Sequence, residues 1–201
     1  MKHIKSTVFL CLISIFIFTA CTSMDKAEWN EATTKNTIES YKEYMKQFPQ
    51  GKFVAEAQTK IISLTPKIGQ PVISDGIKIT VTGSHSLPEL KGMLGNYKAN
   101  SGKTFLIVDV ELVNVDKTPR KLSLQKGDAI IISQDGHELD SDGFTLSKDT
   151  PWLLGYGFNN DATTEPGATF LVSSLAFTVD LATEQLYKFR YRNSQEILLK
   201  Q

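Results

Sequence analysis

The stretch Thr104–Val115, TFLIVDVELVNV, decides how the rest of the chain is read. Its even positions are Leu106, Val108, Val110 and Leu112, and its odd positions carry Asp109 and Glu111 midway. Strict alternation at a period of two turns one row of side chains toward a core and the other toward water. A helix would scatter the four aliphatics around its circumference and bring the two acids beside them. The Val, Ile and Phe content also favours a strand. The pattern therefore predicts one strand of a half-buried antiparallel sheet, and everything after residue 66 reads as built to pair with it.

Upstream, the segment 1–21, MKHIKSTVFLCLISIFIFTAC, has a basic front (Lys2, Lys5) and an apolar or small-residue run from Val8 to Phe18. That is the three-part form of a secretory signal, too short to be read first as a membrane span. Its end, Phe18-Thr19-Ala20-Cys21, resembles the lipobox of bacterial lipoproteins, with Phe18 where an aliphatic is usual. The resemblance implies a signal peptide of residues 1–20, cleavage before Cys21, and a diacylglycerol thioether on its sulfur. Two or three acyl chains give lasting attachment, at about 0.8 kcal/mol per buried methylene. The competing readings are an ordinary signal peptide with a chance cysteine and an uncleaved anchor. If the host has two membranes, Thr22 resembles export to the outer one, because the retention signal there is typically aspartate.

Cleavage would remove Cys11 and commit Cys21 to lipid, so no thiol would remain for a disulfide. It would also take away Lys2 and Lys5, leaving 20 basic against 22 acidic side chains, a formal charge of −2. With no long basic run, nucleic acid is excluded as an expected partner. The hydrophobic content of 41% is that of an ordinary folded domain rather than a disordered chain.

Residues 24–64 read as helical. Asn36-Thr37-Ile38-Glu39 fits a capping box with Asn36 at the cap, and Ile38, Tyr41, Met45 and Phe48 follow at helical spacing. Pro49-Gln50-Gly51 breaks that helix, after which Phe53, Ala57, Ile61 and Leu64 stripe the next. Trp29 and Ala32 suggest a leading helix. Short helices with one apolar stripe each must bury it against one another or against a following domain. The run resembles a helical-hairpin unit of tetratricopeptide type in its Trp29, Tyr41, Tyr44, Phe48-Pro49-x-Gly51 break and Ala55/Ala57 pair. One unit where an independent solenoid needs about three implies an adaptor or spacer over residues 21–65. Trp29 and Tyr44 are partner-contact candidates there, although the stripe places them in the core.

Thr65-Pro66-Lys67 marks the expected boundary, with extended chemistry over residues 66–201. Asp75-Gly76 and Asp135-Gly136 carry the signal of tight hairpin turns; Ile77, Ile79 and Val81 alternate with Lys78, Thr80 and Thr82. Leu122 and Leu124, Ala129–Ser133, Tyr187/Phe189/Tyr191 and Ile197–Leu199 supply further strands. Phe170 and Val172 share one parity whereas Leu175, Phe177 and Val179 take the other, which predicts a bulge near Ser173-Ser174. About seven short strands fit an immunoglobulin-like antiparallel β-sandwich, making the whole chain α+β with a short helical hairpin in front. Several elements between residues 68 and 192, in order, carry a resemblance. They are Ile68-Gly69, Asp75–Val81, Gly102–Val110, Asn114, Asp135-Gly136, Pro166-Gly167 and Leu175-Ala176-Phe177. Together they resemble the telokin-like, immunoglobulin-like domain of unknown function carried by many bacterial lipoproteins. That family implies a fold and an envelope address, not a reaction; the stretch Ser141–Glu165 matches it least.

Three places could carry chemistry. Ser84-His85-Ser86, expected in a loop after a strand, offers serine and histidine but no nucleophile motif, so an enzyme is not expected and no catalytic residue or cofactor is assigned. Asp135, Glu138, Asp140 and Asp142 could hold calcium in a surface loop, but the spacing is not that of an EF-hand, and a hairpin with a solvated acidic loop is the favoured reading. Trp152, Leu153, Leu154, Tyr156 and Phe158 crowd a connection long enough to need a reason. They are either a partner-binding surface or a lid over the core. A companion loop, Ser84–Ser101, carries Leu87, Leu90, Met93, Leu94 and Tyr97. The sequence thus reads as a lipid-anchored cell-envelope protein, held to the cell or outer membrane through Cys21 and working as a non-catalytic binding or assembly module with an envelope protein partner. The alternatives are a sensor or scavenger of a small ligand or calcium ion and, third, a hydrolase.

Overall fold

The computed structural model describes residues 23–92, 95–122, 127–146, 153–156, 162–181 and 186–199; of residues 122, 144, 145, 153–156, 162 and 170–173 only the backbone is described. The chain divides into two compact units between Thr65 and Pro66.

The first unit is three helices: α1 over residues 23–35, α2 Ile38–Gln47 and α3 Val54–Leu64. Trp29, Ala32, Tyr41, Tyr44 and Ala57 are its buried core, with Phe48, Phe53, Ile61 and Leu64 packed around them. The Trp29 indole stacks flat on Phe53 at 5.1 Å and meets Tyr44 edge-on at 5.4 Å. The stripes read from the sequence are therefore the buried faces, and Trp29 and Tyr44 are interior. The cap is one residue later than expected. Thr37 is the N-cap, its hydroxyl accepting from Ser40 N–H at 3.1 Å while Ser40 Oγ accepts from Thr37 N–H at 3.2 Å. Asn36 instead ends α1 in the left-handed conformation, φ 48°, which asparagine tolerates better than most side chains.

The second unit is antiparallel throughout its named strands. In chain order they are β1 Val72–Ser74, β2 Ile77–Leu87, β3 Glu89–Gly92, β4 Gly95–Lys98, β5 Lys103–Asn114, β6 Arg120–Leu122 and β7 Ala129–Ile132. Then follow β8 Glu138–Asp140, β9 Phe144–Leu146, β10 Leu153–Tyr156, β11 Ala162–Thr164, β12 Thr169–Asp180, β13 Tyr187–Tyr191 and β14 Ile197–Leu199. A six-stranded sheet, β1-β2-β5-β12-β9-β10, faces a four-stranded one, β14-β13-β7-β8; β3-β4 and β6-β11 form two-stranded ribbons. The predicted organising strand is β5, paired along its length to β2 and β12. Leu106, Val108, Val110 and Leu112 are at most 2% exposed and meet Ile131, Phe189, Tyr191 and Ile197 of the facing sheet in one core. Each such side chain contributes about 1.5–3 kcal/mol on burial. Phe177 of β12 meets Phe189 of β13 edge-on at 6.5 Å across the two layers. Asp75 and Gly76 both take positive φ, 48° and 69°, and close the β1–β2 hairpin as the Asp-Gly signal predicts.

Several expectations are corrected. The other face of β5 is not simply solvated: Phe105 and Ile107 are buried with Leu90, Leu146 and Ala176 in a second apolar cluster, and only Asp109 and Glu111 stay half-buried. Leu90 belongs to β3 and Ala99 follows β4, so the stretch expected as a loop puts a hairpin on the sheet's outer face. The bulge predicted near Ser173-Ser174 lies instead between Thr169 and Leu171, because the register from Leu171 to Asp180 against β5 is unbroken. The extra residue is at position 170, and no change of parity separates Val172 from Leu175, which pair with Glu111 and Val108. A further bulge, between Val81 and Gly83, re-aims β2, which continues through Ser84-His85-Ser86 to Leu87 where a loop was expected.

Candidate functional site

The outer face of the six-stranded sheet carries the most concentrated polar arrangement on a rigid framework. Register places Gly83 of β2 and Ser174 of β12 on either side of Asp109 in β5. The Ser174 hydroxyl donates to Asp109 Oδ1, and the Thr82 hydroxyl donates to the Asp109 carbonyl at 3.4 Å. His85, one row along, brings Nδ1 to 3.9 Å from Asp109 Oδ2, its side chain 48% exposed against 15% for the aspartate. Gly83 is glycine for a reason of space: a Cβ there would stand 2.8 Å from Asp109 Oδ2. The row of His85 also holds Ile107 and Ala176, so the carboxylate sits at the edge of the second hydrophobic cluster.

The order of these groups limits their chemistry. Nucleophilic hydrolysis by serine needs histidine between the hydroxyl and the acid, taking the proton from one and being oriented by the other. Here the aspartate lies in the middle, the Ser174 hydroxyl is spent on it, and Ser174 is 2% exposed. The arrangement is suited to holding three strands together and to presenting one imidazole on the surface. Of the serines first considered beside His85, Ser86 pairs in register with Leu106 on β5 and Ser84 with Val108.

The four acids of the calcium candidate face different partners. Asp135 accepts from the Ser133 hydroxyl, which holds its carboxyl below the usual range, and lies 3.4 Å from His137 Nε2. Glu138 pairs with Arg190 at 2.8 Å. Asp140 accepts from Gly127 N–H at 3.0 Å and Ser141 N–H at 2.9 Å. Asp142 accepts from the Thr178 hydroxyl at 2.8 Å, and burial pushes its carboxyl up. Among the described residues no three His, Cys, Asp or Glu side chains gather as a metal site would need. The Asp135-Gly136 turn, with Gly136 at φ 88°, joins β7 to β8 as a hairpin.

Of the aromatic candidates, Trp152 and Phe158 lie outside the described residues, as do Cys21 and the whole segment 1–22. Leu153, Leu154 and Tyr156 fall on β10, at one edge of the six-stranded sheet, where Leu153 pairs with Leu146 and Tyr156 with Phe144. The long connection therefore carries a strand of its own. Among the described residues no helix is long and apolar enough to cross a membrane.

Two polar sites escaped the sequence reading. Asp25, 9% exposed in the first turn of α1, accepts the Tyr44 hydroxyl at 2.5 Å and Lys52 N–H at 3.0 Å, while Tyr44 Oη accepts Phe53 N–H at 3.1 Å. Burial, and then the Asp25 carboxylate, push the Tyr44 phenol up to about 12. Asn114, fully buried at the end of β5, donates through Nδ2 to the carbonyls of Thr118 and Thr164 and accepts Asp116 N–H. Local spacing announces neither the Asp25 bond to Tyr44, 19 residues away, nor the Asn114 bond to Thr164, 50 residues away.

This architecture, an antiparallel two-layer sandwich behind a small helical unit, is the setting for the comparisons with known proteins. The chain belongs to the family described as Domain of unknown function (DUF4352), whose model matches residues 66–197, the sandwich unit almost entire. Two solved structures are similar over about the same stretch. A conserved hypothetical protein from Bacillus anthracis is 15% identical with a TM-score of 0.49, the match covering 67% of this chain and 95% of that one. An uncharacterized beta-sandwich protein from Clostridium difficile 630 is 20% identical with a TM-score of 0.40, covering 68% and 95%. Among curated proteins none matches.

Proposed function

We propose that this chain is a lipid-anchored cell-envelope protein whose telokin-like, immunoglobulin-like sandwich works as a non-catalytic binding or assembly module. The observation that carries the address is the sequence Phe18-Thr19-Ala20-Cys21 behind a basic start and an apolar run. The order serine–aspartate–histidine on the outer sheet face supports the non-catalytic part, since His85 has no hydroxyl to activate through that carboxylate. A binding role is supported by the aromatic connection around β10, which places Leu153, Leu154 and Tyr156 on a sheet edge. The dispersal of Asp135, Glu138, Asp140 and Asp142 onto separate partners speaks against calcium as the ligand.

Mass spectrometry of the N-terminal peptide from the native membrane fraction tests the anchor: acylated Cys21 is expected, and a free thiol there overturns it. Replacing Trp152 and Tyr156 with alanine and crosslinking in cells tests the module. Lost partner capture at unchanged melting temperature supports an interface, whereas a large loss of stability assigns these side chains to a core lid.

A further inference from the structure

We infer that the helical unit does more than space the anchor: its Asp25 end is a seat for an anionic bilayer surface. This rests on acylation of Cys21. Helix α1 is in place from residue 23, so only Thr22 stands between the lipidated residue and its first turn, a reach of about 7 Å. A membrane-held Cys21 therefore brings that turn to the headgroups whatever the sandwich does.

That end of the unit is also fastened. Asp25 binds both the Tyr44 hydroxyl and Lys52 N–H, which ties the first turn of α1 to the end of α2 and to the α2–α3 turn. What reaches the headgroups is then one rigid surface rather than a fraying helix end. Its exposed chemistry suits an anionic interface: Lys26 in the first turn of α1, Lys46 in the last turn of α2 and Lys52 in the turn that follows are all exposed, against one exposed acid, Glu56, in the first turn of α3. The remaining acid of those turns, Asp25, is sealed inside. Met24 is 61% exposed beside them, an apolar side chain with no core to enter. The Lys52 ammonium lies over the Phe53 ring, 5.7 Å from its centroid, on a side chain that is exposed. Toward the opposite end of α1, Lys35 is paired with Glu31 at 2.7 Å and lies ten residues from Asp25, about 15 Å of helix rise and about twice the screening length of physiological salt.

The test uses the full lipidated chain in vesicles of phosphatidylethanolamine and phosphatidylglycerol bearing headgroup-proximal quencher lipids. A single fluorophore is placed through Gln50→Cys or, separately, Lys35→Cys. Greater fluorescence loss at position 50 than at 35 is expected, with the difference reduced in the Lys26→Gln, Lys46→Gln, Lys52→Gln triple variant and in phosphatidylcholine vesicles. Equal quenching at both positions, or none at either, in protein whose Cys21 is acylated and which sediments with the vesicles overturns the seat and leaves the anchor intact. Protein with a bare Cys21 that stays in the supernatant overturns the anchor and the seat together. Circular dichroism of each variant confirms that the helices have formed.

Discussion

In the helical unit the core cluster is Trp29, Tyr41 and Tyr44 with the small Ala32 and Ala57, Ile38 is a buried aliphatic besides, and the carboxylate of Asp25 is shut in. In the sandwich the main core is chiefly aliphatic, with Leu106, Val108, Val110, Leu112, Ile79, Ile131 and Leu199 around Phe177, Phe189 and two tyrosines. Among the described residues the sandwich buries no charged side chain. Residues 23–201 contain no cysteine, so neither the helices nor the sandwich has one to help it. The difference follows from size. Some forty residues of helix have too little interior to be sealed by aliphatics alone. Aromatic rings that each bury about 150–250 Å² do the sealing, and a polar knot fixes the helix ends. The sandwich has two faces of β5 to bury and can rely on apolar area.

The contrast is broken most forcefully in the sandwich. Phe177 is fully buried and bridges the two sheets to Phe189, so Phe177→Ala should cost about 3–5 kcal/mol. Urea titration followed by the β-sheet circular dichroism should show the loss, with the helical signal unmoved if the two units unfold separately. Removal of the buried carboxylate comes next. Asp25→Ala leaves the Tyr44 hydroxyl and Lys52 N–H without their acceptor, and the helical unit should lose about 2–3 kcal/mol, read from helical ellipticity. A sandwich that falls with it would show that the division at Thr65 is not an energetic one.

How much of this contrast is written in the sequence depends on the range of the interaction. Alternation in Thr104–Val115 gave the inner face of β5 without error, because a period of two is a local signal and the core imposes it. The helix stripes were legible for the same reason. The outer face was not: Phe105 and Ile107 look like ordinary odd positions until β3 brings Leu90 over them, and nothing in Glu89–Lys98 alternates strongly enough to announce a hairpin. The polar row was hidden too. Asp109 and Ser174 lie 65 residues apart and meet only because β12 takes that register. His85 was noticed, but a glycine two residues before it, which bends β2 and clears space for the carboxylate, turned an expected loop into strand.

Alkaline titration sharpens the comparison further, since each unit holds two buried tyrosines, Tyr41 and Tyr44 in one, Tyr187 and Tyr191 in the other, and in each pair one is shifted far. Burial pushes the phenols of both Tyr44 and Tyr191 up to about 12. Between the unfolded value of about 10 and about 12 the native state keeps a proton that the unfolded chain has lost. Stability is therefore full below about pH 10 and falls as pH rises toward 12. Chemical denaturation across that range should show the fall in both units. Tyr44→Phe should reduce the slope in the helical unit alone, and Tyr191→Phe in the sandwich alone, with Tyr41 and Tyr187, whose phenols burial also pushes up, carrying the remainder.

The smallest effect concerns the residue that starts α2, and it separates two readings of one tetrapeptide. If Asn36 capped the helix with Glu39 reaching back, Thr37 would be an ordinary first-turn residue and Thr37→Ala would cost little. The observed cap is Thr37 with Ser40, each side chain accepting the other's backbone N–H, and Asn36 has turned left-handed to close α1. Thr37→Ala should then cost the helical unit about 1 kcal/mol, with Glu39→Ala near neutral. Asn36 has its own duty, since its Oδ1 accepts the Tyr41 hydroxyl at 2.9 Å, so Asn36→Gly trades a favourable left-handed residue against that bond. A larger loss for Asn36→Gly than for Thr37→Ala would mean that the tyrosine contact, not the cap, holds the α1–α2 turn. It would extend to this turn the rule seen at Tyr44, that polar partners of buried rings set the helix ends in the small unit.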